Sequence, residues 1–390
     1  MEKNNQEAIE SLLTRGVEEI IDRESLEKKL RSGKQLRVKL GIDPTSPNIH
    51  LGRSVPLRKL KDFQDLGHKI VFIIGDFTGV IGDTSDKDSE RPMLDAKTIK
   101  ENMKTYVKQA GMILDMRKCE VKYNSQWLKK LGFLEIAKMA NVFGLHEFTA
   151  REVIAKRLSA GKRVSYLEMM YPLMQGYDSV AIHADVELGG TDQRFNLLAG
   201  RDLQRFYGQE PQDIMTNPLI EGLDGRKMSS SWGNTVNLLD EPNEMFGKVM
   251  SLKDEFIIKY FTVATRVPLS EIEEIKKLSN PRDQKALLAK EIVRMYHGER
   301  EAIRAEEEFN KIFRDKEIPS DIKKIKVEAM PILDLMVKGE LVPSKSEAKR
   351  LVLQGAVKIN GVVEKDWQKV IEPKSGMRIQ VGPRRFLELL

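Results

Sequence analysis

The segment Lys69-Ile-Val-Phe-Ile-Ile-Gly75 constrains the fold more than any other, because its apolar residues, most of them β-branched, run without a polar break. A run this short with no wet side needs cover on both faces, which is the pattern of a buried parallel strand. Leu36 to Ile42 is a second compact run, its apolar residues interrupted by Arg37 and Lys39, and a helical stretch through Leu57, Leu60, Phe63 and Leu66 joins the two. Glu120 to Tyr123, Ser179 to His183 and Asp213 to Asn217 are further strand candidates, whereas residues 7–31 read as an opening helix. The expectation is an α/β domain with a Rossmann-like parallel sheet. Ligands on such sheets bind at the carboxyl ends of the strands, so chemistry is sought in the loops after Ile42, Gly75 and Ile182.

From about Glu241 to Ile325 helical periodicity takes over, with Ile257, Tyr260 and Phe261, then Ala286, Leu287, Ala289, Ile292 and Val293. Pro319 and the charged run 321–326 read as a linker. Beyond it Ser344-Lys-Ser-Glu347 reads as a capping box, Ala348, Leu351 and Val352 form an apolar stripe, and Gly355 stands where a helix stops. Asn360-Gly361 between Val357-Lys358-Ile359 and Val362-Val363 has the residues of a tight hairpin. Three domains are expected: 1–235 catalytic, 236–326 helical, and 331–390 a small α+β module. The last of these carries eleven Lys and Arg against seven Asp and Glu, most of the chain's net +6. A compact basic module of helix and hairpin points to nucleic-acid phosphates, with Lys345, Lys349, Arg350 and Lys358 as contacts. It is similar to the α-L RNA-binding module named after a small-subunit ribosomal protein.

No run of eighteen apolar residues occurs and the start, Met1-Glu-Lys-Asn-Asn5, is polar, so neither a membrane span nor a signal peptide is expected and a cytoplasmic location is. The single cysteine, Cys119, excludes an internal disulfide and a multi-thiolate metal site.

His50-Leu51-Gly52 follows the first strand and opens a helix. An imidazole, a residue without a side chain and a helix N-terminus suit a triphosphate and its nucleoside. Lys227-Met-Ser-Ser-Ser231 follows a Leu223-Asp-Gly225 turn, and its lysine offers a mobile charge to a leaving pyrophosphate. In this order on one α/β domain, the two stretches resemble the paired ATP-binding signatures of class I aminoacyl-tRNA synthetases. Two letters depart from that pattern: Arg53 stands in place of a second histidine and Ser230 in place of a second lysine. Arg226 is a candidate source of the missing loop charge.

Tyr171, Gln175 and Asp178 fall at i, i+4 and i+7, one polar face of a helix opened by Ser165-Tyr-Leu-Glu168. This face resembles that of tyrosyl-tRNA synthetases, and the match runs along the whole chain. The resemblance implies that Tyr171 and Gln175 hold the substrate ammonium and that Asp178 accepts the phenolic proton. It adds Thr78, Asp83, Gly41 and Gln193 to the tyrosine site. It adds Asp43, Thr45, Gly52, Arg53, Gly190, Asp192 and Met228 to the ATP site, Lys87 and Arg91 to a mobile phosphate-facing loop, and gives His50, Lys227 and Ser230 catalytic roles. Lys39 stands where many members carry a pocket tyrosine and is expected among the tyrosine-binding residues, since strand alternation puts it on the face of Gly41 and Asp43; Lys39-Leu40-Gly41 resembles a second bacterial subgroup. The implied activity is tyrosine–tRNA ligation by a homodimer, with ATP, L-tyrosine and tRNA(Tyr) as substrates, Mg2+ riding on ATP, no metal ligands from the protein and no membrane. A tryptophanyl enzyme and a noncatalytic RNA-binding paralogue are the alternatives.

Overall fold

The computed structural model describes residues 2–83, 93–313, 322–382 and 385–390, so Lys87 and Arg91 lie outside the described residues. The chain forms two compact units, 1–296 and 297–390. Residues 236–296 thus fold with the first unit.

In the first unit, strands β1 (Glu19–Ile21), β2 (Arg37–Ile42), β3 (Lys69–Ile74), β4 (Cys119–Tyr123), β5 (Val186–Gly190) and β6 (Asp213–Asn217) form one sheet in the order β1-β6-β5-β2-β3-β4. All neighbours are parallel except β1, which runs antiparallel along β6. Ile70 to Ile74 are fully buried, as a strand covered on both faces requires. The chain winds outward from β2 through β3 to β4, then crosses back to β5 and β6, so the switch point lies between β2 and β5.

The expected opening helix is two helices, α1 (Glu2–Thr14) and α2 (Arg23–Arg31), separated by β1. The Glu-Ile-Ile run there finds a partner in the β6 edge, and a side-chain amide from Asn217 holds the Gly16 carbonyl at 2.7 Å. Helix α3 (Leu51–Asp65) fills the crossover between β2 and β3. Ser179–His183 is not a strand. It closes α4 (Tyr166–Ile182), which runs through Pro172 and ends where His183 takes a left-handed conformation (φ 52°). The strand begins at Val186 instead, so the third chemical loop follows Gly190. Helix α5 (Arg194–Phe206) then packs on α4, and helices α6 (Pro242–Met250), α7 (Ile257–Ala264), α8 (Leu269–Lys276) and α9 (Pro281–His297) follow β6.

The second unit opens with helix α10 (Glu299–Phe313). The expected linker contains a strand, β7 (Lys323–Ile325), which pairs in parallel with β13 (Arg385–Leu389). With β9 (Val357–Ile359), β10 (Val362–Glu364) and β12 (Arg378–Val381) these make a five-stranded sheet, order β10-β9-β12-β13-β7; β8 (Met330–Pro331) and β11 (Val370–Ile371) make a two-stranded one. Helices α11 (Ile332–Lys338) and α12 (Lys345–Leu353) supply Leu335, Met336, Ala348 and Val352 to a core shared with Ile379 and Leu387. Asn360 and Gly361 both have positive φ (47° and 85°), the requirement of the two-residue hairpin. Ser344 caps α12 by accepting from the Glu347 N–H at 3.3 Å, whereas the Glu347 carboxylate pairs with Arg350 rather than closing the box. Among the described residues no helix is long and apolar enough to cross a membrane.

Candidate active site

One cavity opens at the carboxyl ends of β2, β3, β5 and β6, bounded by Asp43, Gly75, Gly190 and Asn217. It gathers Gly41, Asp43, Thr45, His50, Gly52, Arg53, Thr78, Asp83, Tyr171, Gln175, Asp178, Gly190, Asp192, Gln193, Lys227, Met228 and Ser230. Residues spread over the first 231 positions thus meet in one place, as the sequence motifs require.

At the nucleotide end, His50 is the N-cap of α3, and its Nδ1 accepts from the Arg53 N–H at 3.4 Å. Burial, helped by the Arg53 and Lys227 charges, holds its pKa well below the usual imidazole value. The ring is therefore neutral, and with Nδ1 accepting, the proton sits on Nε2, a donor suited to a phosphate oxygen. Gly52 leaves little room for a side chain: a Cβ would lie 3.0 Å from the His50 Nδ1 and press on the ring. Two backbone bonds flanking an isolated bridge from His50 to Asn237 lash this turn to the segment after the serine loop, Leu51 N to Val236 O at 2.8 Å and Leu238 N to Ile49 O at 2.9 Å. The two motifs are neighbours for that reason. Ser230 Oγ lies 3.1 Å from Ser46 Oγ, and the Met228 sulfur accepts from the Gly52 N–H at 3.3 Å. Lys227 Nζ reaches Asp192 at 2.8 Å.

Arg53, which lines the cavity, spends its guanidinium donors on the protein. Its guanidinium donates to the Asp43 carbonyl (3.1 Å), the Tyr106 hydroxyl (2.7 Å) and Thr45 Oγ1 (3.0 Å), and Tyr106 donates on to the Ser46 carbonyl (2.7 Å). It braces loop 43–46 from within. Arg226, the candidate replacement charge, pairs with Asp224 and lies over the Trp232 ring at 4.6 Å, and it does not line the cavity.

The amino-acid end is drier. Asp178 is buried on α4, and its carboxylate accepts from Trp127 Nε1 at 2.7 Å and Asn124 Nδ2 at 3.3 Å. Burial pushes its pKa up to about 7, against the pull of the Lys39 charge and the Trp127 bond. Asp43 accepts from Thr78 Oγ1 at 2.7 Å and from the Tyr171 hydroxyl at 2.8 Å; burial raises it to about 6 and lifts the Tyr171 phenol well above its usual value. Gly75 lets this carboxylate in, since a Cβ there would stand 2.0 Å from Asp43 Oδ1. Gln193 Nε2 donates to Asp83 at 2.6 Å.

Lys39 does not join the cavity. Its side chain is fully buried behind the wall and pairs with Glu187 at 2.8 Å. Sequence reading missed Asn124, Trp127, Glu187 and Tyr106, which hold the recognised side chains from behind. Asn124-Ser125 immediately after a strand candidate was the one available signal.

Among the basic residues expected to meet RNA, Lys345 pairs with Asp334 at 2.5 Å, Arg350 with Glu347 at 2.6 Å, and Lys349 Nζ lies 3.7 Å from the centre of the Trp367 ring. Lys358 lies on β9, exposed.

Residues 31–314 match the family described as tRNA synthetases class I (W and Y), and residues 308–380 match the Tyrosine–tRNA ligase SYY-like C-terminal domain. Tyrosine–tRNA ligase of Thermotoga maritima is 47% identical over 385 residues, spanning 97% of this chain and 96% of its own. The enzyme of that name from Carboxydothermus hydrogenoformans is 47% identical over 398 residues, 97% of each chain. The solved tyrosyl-tRNA synthetase of Archaeoglobus fulgidus, complexed with L-tyrosine, shares the fold at a TM-score of 0.62 and 23% identity, over 77% of this chain and 99% of its own. Cavity, motif order and full-length similarity agree, and the chain belongs to the tyrosine–tRNA ligase family of class I aminoacyl-tRNA synthetases.

Proposed function

We propose that this chain activates L-tyrosine with ATP, bound as its magnesium complex, and transfers the tyrosyl group to the terminal adenosine of tRNA(Tyr). The observation that carries this reading is the meeting of the Tyr171, Gln175 and Asp178 face with His50 and Lys227 around one cavity. In the first step a tyrosine carboxylate oxygen attacks the α-phosphorus while the bond from that phosphorus to the bridging oxygen breaks, giving tyrosyl-adenylate and pyrophosphate. No side chain need become covalently attached. His50 donates from Nε2 to a phosphate oxygen, and Lys227, leaving Asp192, follows the charge that develops on pyrophosphate. Asp178 accepts the phenolic hydroxyl, Tyr171 and Gln175 flank the ammonium group, and Ser230 lines the phosphate path.

The helices between residues 236 and 313 are proposed to read the anticodon side of tRNA, and the basic module 331–390 to hold its backbone. A cytoplasmic homodimer completes the proposal. Phe133, Leu134 and Leu145, between β4 and α4, and Tyr166, the first residue of α4, stand at least 62% exposed, apolar side chains that a second copy would cover. Amino-acid-dependent pyrophosphate exchange tests the reading. Exchange driven by tyrosine is expected; exchange driven by tryptophan alone, or RNA binding without exchange, would overturn it.

A further inference from the structure

The tyrosine end of the cavity leans on an ion pair hidden behind its wall. Lys39 on β2 is 0% exposed and Glu187 on β5 is 1% exposed, with Nζ 2.8 Å from Oε1. Lys39 also donates to Ser179 Oγ at 2.8 Å and to the Gln175 carbonyl at 2.9 Å. Glu187 accepts from Gln175 Nε2 at 3.3 Å, from Ser179 Oγ at 3.0 Å, and from Gln212 Nε2.

Burying two charges is costly, and well-packed apolar side chains of the same volume often hold a fold equally well, so stability alone is a weak reason for such a pair. Its position offers another. Apart from Gln212, every further partner lies on α4 at Gln175 or Ser179, the turn that carries Asp178. With its NH2 tied to Glu187, the Gln175 amide has its carbonyl oxygen as the polar end left to meet an ammonium group. The Lys39 charge also opposes the effect of burial on Asp178. The titratable groups that face Asp178 are Lys39 from β2, Glu187 from β5 and Tyr171 from its own helix, and of these the lysine acts most strongly.

We propose that Lys39 and Glu187 are a positioning pair for amino-acid specificity: from behind the cavity they fix the Gln175 amide and keep Asp178 an anionic acceptor for the phenolic hydroxyl. Neither side chain lines the cavity, so the pair acts through the groups it holds. This inference rests on reading the cavity as a tyrosine site.

The test measures pyrophosphate exchange by the full-length enzyme with tyrosine and with phenylalanine, from pH 5.5 to 8.5, for wild type, K39M/E187Q and S179A. The double variant leaves no unpaired buried charge, and S179A removes the hydroxyl that touches both partners. Losing the pair is expected to raise the tyrosine KM and lower the tyrosine-to-phenylalanine preference by about tenfold each, with the ATP KM unchanged. The acid limb of kcat/KM for tyrosine should move up, because the lost Lys39 charge, which favours ionised Asp178, outweighs the opposing Glu187 charge lost with it. If K39M/E187Q does not fold, S179A carries the test, with smaller changes of the same sign in the tyrosine KM and in the tyrosine-to-phenylalanine preference. Folded variants with the wild-type preference and pH profile would overturn the proposal. Absence of tyrosine-driven exchange in wild type would instead overturn the reading of the site.

Discussion

The two ends of the cavity are built on opposite plans. At the tyrosine end Asp178 and Thr78 are buried and Asp43 is half-buried, and each is held by hydrogen bonds from neighbouring elements before any substrate arrives. At the nucleotide end the Lys227 side chain is a quarter exposed, sits on a turn after Gly225, and is paired with Asp192, a carboxylate that lines the same cavity. Selection between amino acids differing by one hydroxyl needs an acceptor that cannot relax, because leaving it unpaired is what penalises the wrong substrate. Phosphoryl chemistry needs charge delivered as it develops, so a cation that can exchange partners serves better there.

Four experiments put that contrast at risk. Lys227→Met should have the largest effect, lowering kcat of exchange by about a hundredfold or more with tyrosine KM nearly unchanged; an equal loss in tyrosine affinity would show the two ends to be one unit. Asp178→Asn should cut the tyrosine-to-phenylalanine preference by about ten- to a hundredfold, read as the ratio of kcat/KM values. The same variant carries a stability signature. Because the folded pKa of about 7 lies above the ordinary 3.8, the native protein holds a proton that the unfolded chain has lost, and this group's contribution falls as pH rises through that window. The thermal midpoint of ligand-free Asp178→Asn, relative to wild type, should therefore climb between pH 4 and pH 8.

Neutralising Lys345, Lys349, Arg350 and Lys358 together should weaken tRNA charging while sparing exchange. The slope of its logarithmic salt dependence should flatten by roughly one for each phosphate that these side chains neutralise in the wild type. An unchanged slope would remove these residues from the RNA interface. Arg53→His should be mildest, lowering kcat/KM for ATP by about three- to tenfold as the bonds to loop 43–46 go, with the tyrosine KM untouched. A faster enzyme would mean that arginine is a handicap.

What the sequence discloses, it discloses locally. Leu36–Ile42 and Lys69–Gly75 are strands on their own apolar content, Asn360-Gly361 is a hairpin by its backbone needs, and Tyr171, Gln175 and Asp178 share a face because helical spacing obliges them to. Errors arise where local pattern is ambiguous. Ser-Val-Ala-Ile at 179–182 suits a strand as well as the end of an apolar helix, and only the fit against α5 decides it. The same holds for Lys323–Ile325, whose strand needs an edge offered by residues 387–389. Lys39 is visible in the sequence as a charged residue on a buried strand; its destination depends on Ser179, 140 residues onward. Asn124 and Trp127 lie 54 and 51 positions from the Asp178 that they hold. Support of this kind is set by tertiary packing and leaves no periodic trace.

The antiparallel edge strand bears on how the protein is synthesised. Ile20 sits beside Met215, so the first strand made must wait for the last strand of the sheet before it has any neighbour. Until then a growing chain on the ribosome carries β1 unpaired and, once β6 emerges, closes the open flank of the parallel array with a segment already in hand. The amino terminus thus supplies the edge strand on the β6 flank. A nascent chain ending before Ile214 has no partner for that strand, whatever else of the first unit it contains.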